Sequence, residues 1–278
     1  MKRAVKISVI IPCFNHGQFL QESVGTVKKA MAERGDMELI VVDDGSTDER
    51  TCKEVEALEV EGIKTIRQEN KGLASARNAG ISASCGEYIF PLDADDRMRS
   101  EWIDRAVGIL ESDAAVGVVY GDAQNFGTET TRWVVGPFNA DQMLYFNFIH
   151  ASALYRRKVW EKNGGYDGTM PVMGLEDWDF WVGAFKHGWK FAYMPEIFFD
   201  YRRAQVSMIT KAARSQYEVT EFVARKHAMV YRHAWLTQIE KCDCLLFQEQ
   251  SLKWTLRNLW DLLKVKVLAR VKKLGAKS

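Results

Sequence analysis

A chain of 278 residues, 47% hydrophobic and 27% charged, has enough apolar material for one large folded domain with an appended piece, which excludes global disorder. Its 38 basic and 37 acidic residues leave a net charge of +1, so it lacks the basic field with which a dedicated nucleic-acid binder neutralises phosphates. No stretch reaches the ~18 apolar residues of a membrane span.

The five cysteines are odd in number and only Cys242 and Cys244 lie close together, so the expectation is reduced thiols in a cytoplasmic setting. The N-terminal run MKRAVKISVIIPCFNHG has no small-residue cleavage site and reads as a first strand, not a signal peptide. Lys6 to Ile11 and Met37 to Val42 are β-branched apolar runs, stopped by Pro12 and by Asp43-Asp44-Gly45, and both predict buried parallel strands. Between them Phe19, Val24, Val27 and Met31 recur at helical spacing. Ser46-Thr47-Asp48 offers an N-cap for a helix through about Leu58, followed by a strand over Ile63 to Ile66 and an Ala-rich helix over Leu73 to Ala83. A strand (Glu87 to Leu92), a helix (Ser100 to Leu110) and a fifth strand (Val116 to Tyr120) continue the alternation. The pattern predicts an α/β fold with a Rossmann-like, mostly parallel central sheet covered by helices on both faces. Past Gly121 the chain is irregular and aromatic-rich, with a helix expected over Asp177 to Lys186 and a strand around Trp189 to Tyr193. From about Lys211 helix follows helix. The expected organisation is therefore a main domain over 1–210, with halves meeting near residue 120, and a C-terminal helical extension over 211–278.

Ligands of open α/β sheets bind beyond the carboxyl ends of the strands. The acids gather there: Asp43-Asp44 after the second strand, then Asp93, Asp95 and Asp96 after the fourth. Carboxylates crowded at one rim repel unless a cation sits among them or some are protonated. A hard divalent ion with oxygen ligands, shared with phosphates, resolves the conflict. Solvated Asp-rich turns are the alternative for either cluster alone. No G-x-G-x-x-G follows the first strand, where Pro12-Cys13-Phe14-Asn15 stands, and no G-x-x-x-x-G-K-[ST] occurs; a dinucleotide dehydrogenase and a P-loop nucleotidase are disfavoured.

The ordered segments ISVIIPCFN, ELIVVDDGSTD, NKGLASARNAGI, GEYIFPLDADD and GLEDWDFW together resemble family 2 of the inverting glycosyltransferases, of GT-A fold, over roughly Lys6 to Met208. The resemblance implies transfer of a sugar from a nucleotide sugar, usually a UDP-sugar, with inversion at the anomeric carbon. It places Pro12, Phe14 and Asn15 beside the nucleotide, Asp44 on the uracil ring with Asp43 as neighbour, and Arg77 and Asn78 near the nucleotide. Asp93, Ala94 and Asp95 form the D-x-D, with Asp93 on the ribose or metal side and Asp95 ligating Mn²⁺ or Mg²⁺ at the diphosphate. Asp177 becomes the catalytic base, and Glu176 an acceptor-side ligand or alternate base. Arg202, Arg203 and Ser207 match a loop that contacts the diphosphate. Here Arg202-Arg203-Ala204-Gln205 lacks the His that members often carry, which puts a third protein metal ligand from that loop in doubt.

The residues also admit plainer readings. Acids at a helix start are favoured by the helix dipole without any catalytic role. Arg77 pairs readily with a core-edge acid. His150, among apolar residues, reads first as a core histidine and second as an acceptor or metal contact. Trp178 and Trp181 are either a sugar-stacking floor or core.

At the C-terminus Leu252, Leu256, Leu259, Leu263, Val267, Val271 and Leu274 share one helical face among many Lys and Arg residues. That pattern suits either an interfacial helix on anionic lipid at the inner face of the cell membrane or a helix packed on the core or in a homodimer. The sequence-level expectation is a metal-dependent hexosyltransferase acting on a glycan or polyprenyl-linked acceptor in surface polysaccharide or lipopolysaccharide synthesis. The alternative is an inactive nucleotide-sugar-binding or scaffold subunit of the same fold.

Overall fold

The computed structural model describes residues 4–203, 216–242, 244, 251–253 and 256–257. The chain divides into two compact units, 1–227 and 228–278. In the second unit, residues 228–242 are helical.

The first unit is built on a mixed sheet. Strands β1 (Ile7–Cys13), β2 (Met37–Asp43), β3 (Lys64–Arg67) and β4 (Tyr88–Pro91) pair in parallel in the order β3-β2-β1-β4. Helices α1 (Gly17–Arg34), α2 (Glu49–Val60) and α3 (Leu73–Ala83) are the crossovers. Strand β1 does not stop at Pro12: it continues to Cys13, with Pro12 opposite Val42. The missing N–H is harmless there, because pairing of β1 with β4 has already ended at Ile10 opposite Pro91.

Beyond β4 the sheet is extended by β8 (Leu154–Arg156), antiparallel to both β4 and β6 (Val116–Gly127). Strand β9 (Lys190–Arg203) runs parallel to β6, the short β5 (Arg97–Met98) closes that edge, and β7 (Arg132–Trp133) pairs with β6. Both long strands run past their expected ends. Their register jumps where Met194 faces Gly121 and Ile197 faces Asp122, and this irregularity absorbs Pro195. Helices α4 (Ile103–Ser112), α5 (Ala140–Tyr145), α6 (Arg157–Asn163), α7 (Glu176–Lys186) and α8 (Gln216–Lys226) complete the unit.

The largest core lies on the face carrying Ile7, Val9 and Ile11 of β1, packed with Leu20, Val24 and Val27 of α1 and with Trp102 and Ile103 beside α4. Trp102 stacks on Phe198 at 4.0 Å between centroids. Helix α3 covers the opposite face and sits very close. A Cβ on Gly80 would come within 2.4 Å of Ile10 Cγ2 and 3.0 Å of Val42 Cγ2. That close seat sinks Arg77, one turn earlier on α3, until it is only 1% exposed.

Candidate active site

The loops after β1, β2 and β4 and the start of α7 supply the sequence-predicted residues. Asp43 and Asp44 turn out to be satisfied by N–H groups. Asp43 Oδ1 accepts from Ser46 N at 3.0 Å. Asp44 Oδ1 accepts from Lys71 N (2.9 Å) and Gln68 Nε2 (2.6 Å), while Oδ2 accepts from Gly72 N (2.8 Å). Asp44 thus sits at the N-terminus of α3, where the helix dipole favours an anion. The acids left to share a cation are therefore the three after β4. Asn15, at φ 54°, ties the neighbouring loop: its Oδ1 accepts from Thr47 N (2.8 Å) and Asp48 N (3.2 Å). Phe14 beside it is 43% exposed, an apolar ring left facing solvent. Pro12 is buried in the strand.

The three acids after β4 differ in state because their partners differ. Burial alone would raise the Asp93 carboxyl, but the Arg77 guanidinium, with His150 nearby, holds it below the usual carboxylate range. Arg77 Nη2 donates to Asp93 Oδ1 at 2.8 Å. Asp95 is pushed up by burial and by the charge of Asp93. Asp96 is pushed well up by burial and by Asp95 and Asp93; its Oδ1 accepts from Arg202 N at 2.9 Å and its buried Oδ2 has no partner. Ala94 between them is buried.

Arg77 is the hinge of the site. Its Nη1 donates to Glu176 Oε1, so one buried guanidinium joins the acid after β4 to the first residue of α7. Glu176 Oε2 in turn accepts from Gly174 N at 2.9 Å, and Gly174, at φ 105°, adopts a backbone closed to side chains. Asp177, next on α7, is 7% exposed. Burial and the Glu176 charge, opposed by Arg77 and a hydrogen bond from Asn147, push its carboxyl up to about 7. A carboxylate poised there exchanges a proton near neutrality, as a general base must.

Other expected residues sit elsewhere. Asn78 is committed to a structural job: Oδ1 accepts from Trp160 Nε1 and Tyr166 N, and Nδ2 donates to Tyr166 O, each at 2.8 Å. Trp178 is fully buried, with Nε1 donating to Met143 O at 2.6 Å, so no face is left for a sugar; Trp181 is core as well. Arg202 braces the D-x-D from behind, Nε donating to Asp95 O at 2.9 Å and Nη2 to Glu22. Arg203 is exposed and pairs with Glu129 at 3.4 Å. Ser207 and the tail residues Leu259, Leu263, Val267, Val271 and Leu274 lie outside the described residues.

The sequence placed Asp96 among the clustered acids and gave His150 an acceptor or metal contact as its second reading, but assigned neither a definite role in the site. His150 Nε2 stands 3.7 Å from Asp93 Oδ2, and one ligand atom each of Asp93, Asp96 and His150 fall within 4.8 Å of one another. Burial pushes the His150 imidazole down to about 4 against the opposing pull of Asp93. Asp95 contributes no atom to that group; the orphaned Oδ2 of Asp96, beside further carboxylates, is a hard oxygen donor of the kind that suits a divalent cation such as Mn²⁺ or Mg²⁺.

A family model described as "Glycosyl transferase family 2" matches residues 8–170, more than half of the chain. The chain belongs to glycosyl transferase family 2. Among curated members, a PGL/p-HBAD biosynthesis glycosyltransferase of Mycobacterium bovis is 30% identical over 188 residues, 66% of this chain and 71% of that protein. The chain spans about 36–40% of the length of the first curated relatives it matches. Likeness in fold extends to solved structures. S. aureus TarS 1-349 in complex with UDP-GlcNAc superposes with TM-score 0.64 at 18% identity, covering 81% of this chain and 69% of that one. A mannosyltransferase from Pyrobaculum calidifontis in complex with GDP-Man and Mn²⁺ gives 0.57 at 18% identity, covering 84% and 76%. At such identity these neighbours establish the GT-A fold.

Proposed function

We propose that this family-2 chain is a nucleotide-sugar glycosyltransferase that moves a hexose from a UDP-sugar to an acceptor hydroxyl with inversion. The observation that carries the reading is Asp177: a buried carboxyl raised to about 7, one residue from a glutamate that Arg77 ties to the donor-side Asp93. Asp177 takes the proton from the acceptor hydroxyl as its oxygen bonds the anomeric carbon, and the bond from that carbon to the diphosphate breaks on the opposite face. Glu176 and Arg77 fix where Asp177 stands; Asp44, Asn15 and Phe14 line the nucleotide side. Asp95 and Asp96 would hold Mn²⁺ or Mg²⁺, with Asp93 on the ribose side; the ion when bound supplies positive charge to the leaving diphosphate. UDP as the nucleotide is supported by the UDP-GlcNAc bound to TarS, and Mn²⁺ as the ion by the Mn²⁺ bound with GDP-Man to the mannosyltransferase.

The acceptor we assign is a glycan or lipid-linked hydroxyl in surface polysaccharide synthesis, with the second unit, 228–278, meeting the membrane surface. Exposed Leu252 and Leu256 suit that contact. Among the described residues no helix is long and apolar enough to cross a membrane.

The test is UDP release with Mn²⁺ across a panel of UDP-sugars, repeated with Asp95→Ala and Asp177→Asn. Turnover in the parent and loss in both variants is expected. Nucleotide binding without turnover in the parent would sink the enzyme reading.

A further inference from the structure

His150 lies inside the acid cluster, yet the proposed reaction makes no use of it. Its ring is held firmly: Phe199 stacks on it at 4.7 Å between centroids, and Tyr201 meets it edge-on at 5.3 Å. The backbone N–H of Ser152 donates to Nδ1 at 3.1 Å. A ring nitrogen that accepts a hydrogen bond carries no proton, so the imidazole is neutral and its single proton belongs on Nε2. Nε2 faces Asp93 Oδ2 at 3.7 Å, just beyond hydrogen-bond reach. Arg77 occupies the other Asp93 oxygen, Oδ1.

The closeness of Asp93, Asp96 and His150 has the look of a shared ion site. The polarity of the ring opposes that. A metal-bound histidine offers a lone pair to the ion and donates its other N–H to an acceptor. In His150 the remote nitrogen instead receives an N–H, which leaves a proton, not a lone pair, aimed into the cluster.

We infer that His150 is a positioning residue and not a metal ligand: its Nε2–H steers the free oxygen of Asp93 while Arg77 fixes the other. Arg77, on α3, holds one Asp93 oxygen by a hydrogen bond, and His150, ahead of β8, faces the other across 3.7 Å; the acids left for the ion are those after Asp93 in the loop. This role rests on Asp93 being a donor-side acid, whereas the tautomer stands on the Ser152 bond alone.

The test uses the full chain labelled with ¹⁵N-histidine, with the His150 signals assigned by their loss in His150→Phe. Two-bond ¹H–¹⁵N spectra are expected to show the Nε2–H tautomer before and after addition of UDP and Mg²⁺. His150→Phe keeps a stacking ring but no donor. It is expected to lower kcat about 10- to 100-fold, the usual cost of losing a group that orients a functional carboxylate. Mn²⁺ affinity in the presence of UDP, read by calorimetry, should change less than about twofold. His150→Gln restores an N–H and should recover most of the lost kcat. A switch to the Nδ1–H tautomer on adding UDP and Mg²⁺ overturns the inference. So does a tenfold or greater loss of Mn²⁺ affinity in His150→Phe, unchanged kcat in that variant, or no recovery with His150→Gln. If the parent transfers no sugar, the proposed function fails separately, and the tautomer is still read.

Discussion

Replacing Arg77 by Met removes a charge while roughly keeping its volume, and the consequences can be worked from its partners. Arg77 is 1% exposed and serves Asp93 and Glu176 at once, with Asp177 close enough to feel its field. Without it, three carboxyl groups crowd a buried space with no counter-charge. Breaking a buried pair from one side costs about 3–5 kcal/mol. At an m-value of ~2.5 kcal/mol/M, the urea midpoint at pH 7.5 should fall by about 1–2 M. The loss must depend on pH. In the parent, Asp93 is held below its ordinary value, so its contribution is present above the unfolded pKa and fades as pH falls through the folded one. In the variant the sign reverses: unpaired buried acids bind protons more tightly when folded, so stability recovers as pH falls from neutral toward ~4.5. Urea titrations of both proteins at pH 7.5 and 5 measure this. A loss below about 1 kcal/mol at pH 7.5, or an equal loss at both pH values, would refute the assignment of Arg77 as the counter-charge.

As the proposed base, Asp177 must be ionised to accept a proton, and with its carboxyl pushed up to about 7, kcat should rise with pH through that value and level off above it. Asp177→Asn should lose about 10²- to 10⁴-fold in kcat together with that limb, while calorimetry finds UDP binding intact; a retained limb would move the base elsewhere. Trp178→Phe should cost about 1–3 kcal/mol in thermal or urea unfolding, since it opens space in the core and strands Met143 O, and should leave donor KM unchanged. A donor KM shifted more than the stability would restore the sugar floor. Asn78→Ala leaves Trp160 Nε1 and the Tyr166 backbone without partners and should destabilise by about 2 kcal/mol or more, with nucleotide affinity read separately and unaltered.

The half of the fold that could be read in the sequence is the half whose strands are buried on both faces. Runs such as Ile7–Cys13 and Met37–Asp43 announce themselves because most of their positions are apolar and β-branched and their crossover helices carry a clean period. The second half conceals its strands. β6 continues through Asp122 and Asn125, polar residues that look like a turn but are buried and paired: Asp122 accepts from Arg132, from Tyr193 Oη at 2.7 Å and from Val135 N at 3.0 Å. A buried acid with that many donors is invisible to a periodicity argument, since the donors come from segments up to 71 residues away. β5, β7 and β8 are two or three residues long, too short for any period to register.

The site divides along the same line. The acids could be found because repulsion makes a carboxylate cluster conspicuous, but their states could not, because each state is set by what the fold brings up against it. Asp44 and Asp96 look equivalent as letters after a strand. One receives N–H groups at a helix N-terminus; the other is left with an orphaned oxygen beside two further acids. Arg77 was legible as a partner for some acid, yet its joining of the D-x-D to the α7 acids depends on the close seat of α3 that Gly80 permits. That seat has a chemical consequence. Asp93 and Glu176 are tied through a single buried guanidinium, so displacement of Asp93 is felt at Glu176, next to Asp177, the proposed proton acceptor. A double-mutant cycle of Arg77→Met with Glu176→Gln should therefore show strong coupling in kcat, because two residues acting through one buried contact do not add.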